Sequence, residues 1–130
     1  MSGVIKVAFA TKDGENVNDH FGWAKEFAIY EVGKEGYALS AIVKAEEDHN
    51  EEDGKINAKI EAIKEANILY CEAIGPAAAA KVVKARIHPI KIVQPITIKQ
   101  ACEQLTDMLN KNPPPWIKRI IAISENREEQ

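Results

Sequence analysis

Residues 67–93, NILYCEAIGPAAAAKVVKARIHPIKIV, read as a strand, a helix and a second strand. NILYC (67–71) is short, apolar and bounded by a Gly-Pro pair. Gly75-Pro76 opens a helix over 77–85, because a proline in the first turn gives up an N–H that has no intrahelical partner. PIKIV (89–93) is again short and branched. Two strands joined by a helical crossover run parallel, so this stretch commits the chain to a partly parallel sheet with helices on its faces.

Towards the N-terminus, VIKVAFA (4–10) reads as a buried strand that ends in the turn Thr11-Lys12-Asp13-Gly14. EFAIYEV (26–32) and YALSAIVKA (37–45) are further strands, and Gly33-Lys34-Glu35-Gly36 between them implies a hairpin. The acidic run EEDHNEED (46–53) reads as an exposed loop. Over 55–66, Ile56, Ile60 and Ile63 recur at helical spacing and make one apolar face. Towards the C-terminus, Thr97-Ile98-Lys99-Gln100 fits a capping box before a helix over 98–110, which Asn112-Pro113-Pro114-Pro115 stops. Residues 116–123 read as a short apolar segment and 124–130 as a frayed polar tail.

The order β-β-β-α-β-α-β-α gives one α/β domain with a five-stranded mixed sheet and three main flanking helices. Its first strand is expected at the centre, and loops leaving that strand's C-terminal end are the favoured place for a site. The domain is taken as 1–111, with 112–130 a C-terminal extension.

The chain has 130 residues, enough to bury a core without disulfide or metal staples. Its net charge of -3 argues against general nucleic-acid binding, which needs a basic face to displace counterions from phosphates. No apolar run approaches the ~18 residues of a membrane span, and the opening residues pass straight into a strand with no secretory signal. A cytoplasmic protein is expected, with its two cysteines, Cys71 and Cys102, reduced.

Two segments can carry chemistry. TKDGENVNDHFGWA (11–24) leaves the first strand and holds His20 in a polar, glycine-bounded loop. A neutral imidazole is a good ligand for iron and other transition metals. Asp19 can orient that ring or cap the next turn. On composition alone the ordinary loop histidine is preferred, since His20 has no partner at metal-ligand spacing. The second segment is Cys71-Glu72-Ala73-Ile74-Gly75-Pro76, between strand and helix. There the helix N-terminus favours an anion and would lower the thiol pKa of Cys71, giving a partly exposed, reactive thiolate suited to iron–sulfur clusters. The opposing reading, a buried strand cysteine acting as a small hydrophobe, stands beside it. His88 is read as structural or solvent-facing rather than a ligand, His49 as solvated, and Cys102 as core. Lys12, Lys25, Lys84 and Arg86 border a site or form a solvated face. No nucleotide-binding, nucleophile-elbow or zinc-protease motif is present. The fold sketch also suits a ribonuclease H-like nuclease, but residues 4–10 lack the carboxylates that two-metal chemistry needs.

Val17-Asn18-Asp19-His20-Phe21-Gly22, set between the strands 5–10 and 27–32, resembles the opening of the dinitrogenase iron–molybdenum cofactor biosynthesis family. The likeness continues through 68–75, with its strand and Gly75 turn, and through 87–93. There Arg86-Ile87-His88 stands where the family often has a glycine. It covers roughly residues 4–111, about one domain. The segment with Pro115-Trp116 is more like stand-alone members than like the domain fused to the precursor-producing radical enzyme. The resemblance implies a ribonuclease H-like fold without enzymatic activity. It implies binding of the iron–molybdenum cofactor, or of its iron–sulfur precursor, in passage between that radical enzyme, a scaffold complex and other assembly proteins. It implies a ligand role for His20 and, more loosely, for Cys71. Asp19, Phe21, Gly22 and Gly75 then shape the binding site. Phe21 is expected to anchor the loop inward and Gly22 to allow a sharp bend. The competing expectation is a regulatory or interaction module of the same fold that binds no cluster.

Overall fold

The computed structural model describes residues 4–45 and 52–129. The elements are β1 (Ile5–Ala10), β2 (Glu26–Gly33), β3 (Gly36–Lys44), α1 (Glu52–Ala62), β4 (Ile68–Cys71), α2 (Pro76–Lys84), β5 (His88–Lys91), α3 (Ile98–Asn110) and α4 (Pro115–Glu129). They form a five-stranded mixed sheet in the order β3-β2-β1-β4-β5, with β1 central as expected. β1 pairs antiparallel with β2 and parallel with β4, and β4 pairs parallel with β5.

The apolar run of β1 is explained by burial on both faces of the sheet. Alternate side chains enter two different cores. Ile5, Val7 and Phe9 pack with Ile68 and Tyr70 against Cys102, Leu105 and Leu109 of α3 and Ile117 and Ile120 of α4. Ala8 and Ala10 pack with Leu69 and Cys71 under Ile63, Ala78 and Val82 on the other face. The two cysteines therefore lie on opposite sides of the sheet, and both are free and buried. Cys102 is core, as its helix position suggested.

Local signals set the element ends. Thr97 and Gln100 complete a capping box: each side chain accepts from the other residue's backbone N–H at 3.0 Å. The hairpin closes on the pair Gly33 and Gly36, with Gly36 at φ 139°. α2 ends in a Schellman arrangement, with Arg86 N–H donating to Val83 O and Ile87 N–H to Val82 O. The left-handed residue there is Arg86, at φ 67°, where a glycine fits without a Cβ penalty.

Some expectations need correction. The segment 124–130 is not a frayed tail as far as Glu129, because α4 runs from Pro115 to that residue. The described residues hold four helices, not three, since Trp116, Ile117, Ile120 and Ile121 make a helical stripe that docks on the α3 side of the core. Glu52 and Asp53 belong to α1, while residues 46–51, including His49, lie outside the described residues. β5 begins at His88 and ends at Lys91, earlier than 89–93. Among the described residues, no helix is long and apolar enough to cross a membrane.

Candidate functional site

Because β1, β4 and β5 are parallel, their C-terminal ends lie along one edge of the sheet, and three loops leave there. The long loop after β1 is stitched to both of the others. Ile98 N–H donates to Glu15 O at 2.8 Å and Val17 N–H to Ile96 O at 3.0 Å, an antiparallel bridge to the loop after β5. Glu72 N–H donates to Asp19 O and Phe21 N–H to Ala73 O, both at 2.9 Å, a parallel bridge to the loop after β4. The loop is thus held by backbone bonds on either side of His20.

Its own start is organised by Asp13. One carboxylate oxygen accepts from the N–H groups of Glu15 and Asn16, both at 2.9 Å, and the other from the Asn16 side-chain amide at 2.9 Å. These donors, the Asn16 side chain first, hold the Asp13 carboxyl well below the usual carboxylate range. Gly14 sits at φ 78° in that turn.

His20 follows at the tip of the stitched segment. Its Nε2 lies 3.3 Å from Oε2 of Glu72. Its ring lies flat on the indole of Trp23, with centroids 4.0 Å apart and planes within 2°. The imidazole is about one-third exposed and Trp23 is 66% exposed. Asp19 is buried, and its Oδ1 accepts from the adjacent His20 N–H at 3.0 Å. Glu72, and not Asp19, is the carboxylate beside the ring. Phe21 is fully buried against Phe27, the anchor expected of it. Gly22 and Gly75 need not be glycine on steric grounds. Neither has a positive φ, and a Cβ at either would meet nothing within 4 Å.

Cys71 departs from expectation. It is fully buried at the end of β4, among the residues under α1 and α2, and burial pushes its thiol up to about 11, with Lys91 pulling weakly the other way. The partly exposed, low-pKa thiol read from the adjacent helix start is therefore incorrect. Desolvation outweighs the helix terminus because β-strand alternation turns Cys71 inward after Leu69. Its Sγ lies 3.9 Å from the carbonyl oxygen of Ile90 on β5. His88 lies exposed on β5 and stacks on Trp116. Lys12, Lys25, Lys84 and Arg86 are exposed, the last two at the far end of α2 from Gly75.

Beside His20, a cavity of about 330 Å³ is walled by Asn16, Asn18, Glu72, Val93, Gln94 and Pro95. Glu72 thus borders both the imidazole and the cavity. A larger hollow of about 790 Å³ lies at the opposite end of the sheet, near Lys34, Tyr37 and Asn110. It has no histidine or cysteine in its lining and is far from the three loops. Among the described residues, no group of three or more His, Cys, Asp or Glu side chains is placed to hold a metal ion. The chemistry available here is that of one oriented imidazole with a carboxylate partner.

Comparison with known proteins matches the chain to a family. A profile described as dinitrogenase iron-molybdenum cofactor matches residues 3–108. Protein NifX of Herbaspirillum seropedicae is 40% identical over 125 residues, covering 95% of this chain and 86% of that protein. Protein NifX of Sinorhizobium fredii is 37% identical over 129 residues, covering 93% and 80%. The FeMo cofactor biosynthesis protein NifB of Sinorhizobium fredii is 34% identical over 89 residues, covering 66% of this chain and 18% of its own length. The chain belongs to the dinitrogenase iron-molybdenum cofactor family, as a NifX-type member.

Proposed function

We propose that this protein binds the nitrogenase iron–molybdenum cofactor, or its iron–sulfur precursor, and carries it between cytoplasmic assembly proteins without catalysing a reaction on it. The observation that carries the reading is His20: an imidazole about one-third exposed, on a loop that backbone bonds fix at the carboxyl edge of a mixed sheet. The strand order β3-β2-β1-β4-β5 supports the ribonuclease H-like reading of the fold. The absence of carboxylates on β1 supports cargo binding over two-metal hydrolysis.

A carrier must hold its cargo and also release it. A closed four-ligand site binds metal so tightly that removing the metal unfolds many small domains. A single imidazole at the surface supplies one exchangeable bond, which a closed site of four ligands does not. Cys71 is left out of the ligand set because its sulfur is buried. The partners are the precursor-producing radical enzyme and the scaffold complex. The recurrence of this domain within a relative named for FeMo cofactor biosynthesis supports that assignment.

The test is the metal content of protein purified anaerobically from cells making the cofactor. The carrier reading expects iron to travel with the protein through a sizing column. Metal-free protein from such cells, together with no uptake of added precursor, would favour a regulatory module of the same fold.

A further inference from the structure

We propose, on the basis of the carrier reading, that Glu72 and Trp23 are positioning residues that present Nδ1 of His20 as the cargo-binding atom. Neither is itself a ligand. An imidazole held by one flexible side chain has two freedoms that matter: the tilt of the ring plane and which nitrogen faces outward. The structure restrains both. Trp23 lies parallel to the ring within 2° at 4.0 Å, which fixes the plane. The Glu72 carboxylate lies 3.3 Å from Nε2, which fixes the rotation within that plane.

The tautomer follows from the same contact. A carboxylate oxygen facing Nε2 stabilises a proton there, and a neutral imidazole with its proton on Nε2 has its lone pair on Nδ1. Metal-bound histidines commonly donate their other ring N–H to a carboxylate, which orients the ring and raises the basicity of the ligating nitrogen. The two nitrogens point away from one another, so binding through Nδ1 also separates the Glu72 carboxylate from an anionic cargo. Glu72 is itself held: its N–H bonds to Asp19 O, one residue before His20, so the β4 loop and the β1 loop keep a fixed spacing. Its side chain is half exposed, and substitution there leaves this backbone bond intact.

The experiment is a double-mutant cycle with isolated iron–molybdenum cofactor, titrated anaerobically into wild type, Glu72→Ala, His20→Ala and the double variant. Thermal melting checks that each is folded, and Glu72→Gln serves as a size-preserving second variant. Nitrogen NMR of the cargo-free, histidine-labelled protein identifies the His20 tautomer, whose signal is the one lost in His20→Ala. The expected result is an Nε2–H tautomer, a roughly 10- to 100-fold loss of affinity in Glu72→Ala, and a double variant no weaker than His20→Ala. Additive losses would make Glu72 a direct contact and overturn the positioning role. Unchanged or tighter binding in Glu72→Ala, or an Nδ1–H tautomer in wild type, would also overturn it while leaving His20 in the site. Equal affinity of wild type and His20→Ala would remove the site itself, and the proposal with it.

Discussion

His88 on the edge strand β5 stacks on Trp116 in the first turn of α4, with ring centroids 4.9 Å apart and planes at 19°. The contact ties the C-terminal helix to the sheet edge. Desolvation, and then the charge of Arg119, hold His88 below the ordinary histidine value. A histidine whose folded pKa is depressed binds fewer protons folded than unfolded, so it makes stability rise with pH. Its contribution is intact above the unfolded value of ~6.5 and is lost as pH falls from there through the folded value. Wild type should therefore lose more stability than His88→Gln between mildly alkaline and mildly acidic buffer. Urea unfolding of both proteins at each pH checks this. Parallel losses in the two would show that His88 is not the linked group.

Cys71 and Cys102 are both fully buried, and burial raises their thiols to about 11 and about 12. Since the thiolate is the reactive form, both should resist alkylation at neutral pH until the chain opens. Labelling with mass-spectrometric readout should show the two modified together, in step with unfolding by denaturant. Rapid modification of Cys71 alone in native buffer would contradict the packing described for β4.

Arg86 occupies the left-handed position that closes α2, at φ 67°. A side chain in that conformation costs roughly 1–2 kcal/mol, and glycine's greater freedom in the unfolded chain returns part of the gain. Arg86→Gly should stabilise the protein by about 0.5–1 kcal/mol, or roughly 2–4 °C in Tm for a domain of this size. Thermal melting decides it; a lower Tm would mean that the contacts of the Arg86 side chain outweigh the backbone strain.

The parts of this fold that the sequence makes legible are those set by local chemistry. The branched apolar run of β1, the Thr97-Gln100 capping box, the Gly33–Gly36 hairpin and the Gly75-Pro76 helix start all form where the residues place them. The inward packing of Phe21 follows from an aromatic side chain in a polar loop, whereas a site role for His20 is what the family resemblance implies, its local sequence alone favouring an ordinary loop histidine. Glu72 and Trp23 are not singled out beforehand. Glu72 becomes a neighbour of His20 only through the parallel pairing of β1 with β4, and Trp23 only through the turn that folds it back under the imidazole. Cys71 misleads because ILYC is buried on both faces. A strand with no polar side offers no alternation to show which way the thiol points. The polar end of α4 misleads because helical structure continues past the last apolar residues that dock it.

The central claim is that His20 holds the cargo, and the most direct measurement is anaerobic titration of wild type and His20→Ala with isolated iron–molybdenum cofactor, paired with thermal melts. Losing this group should weaken binding by roughly one to two orders of magnitude. The melt should shift little, because substitution of a partly exposed loop side chain usually costs less than about 0.5 kcal/mol. Equal affinities in the two proteins, or a His20→Ala chain that no longer melts cooperatively, would contradict the account.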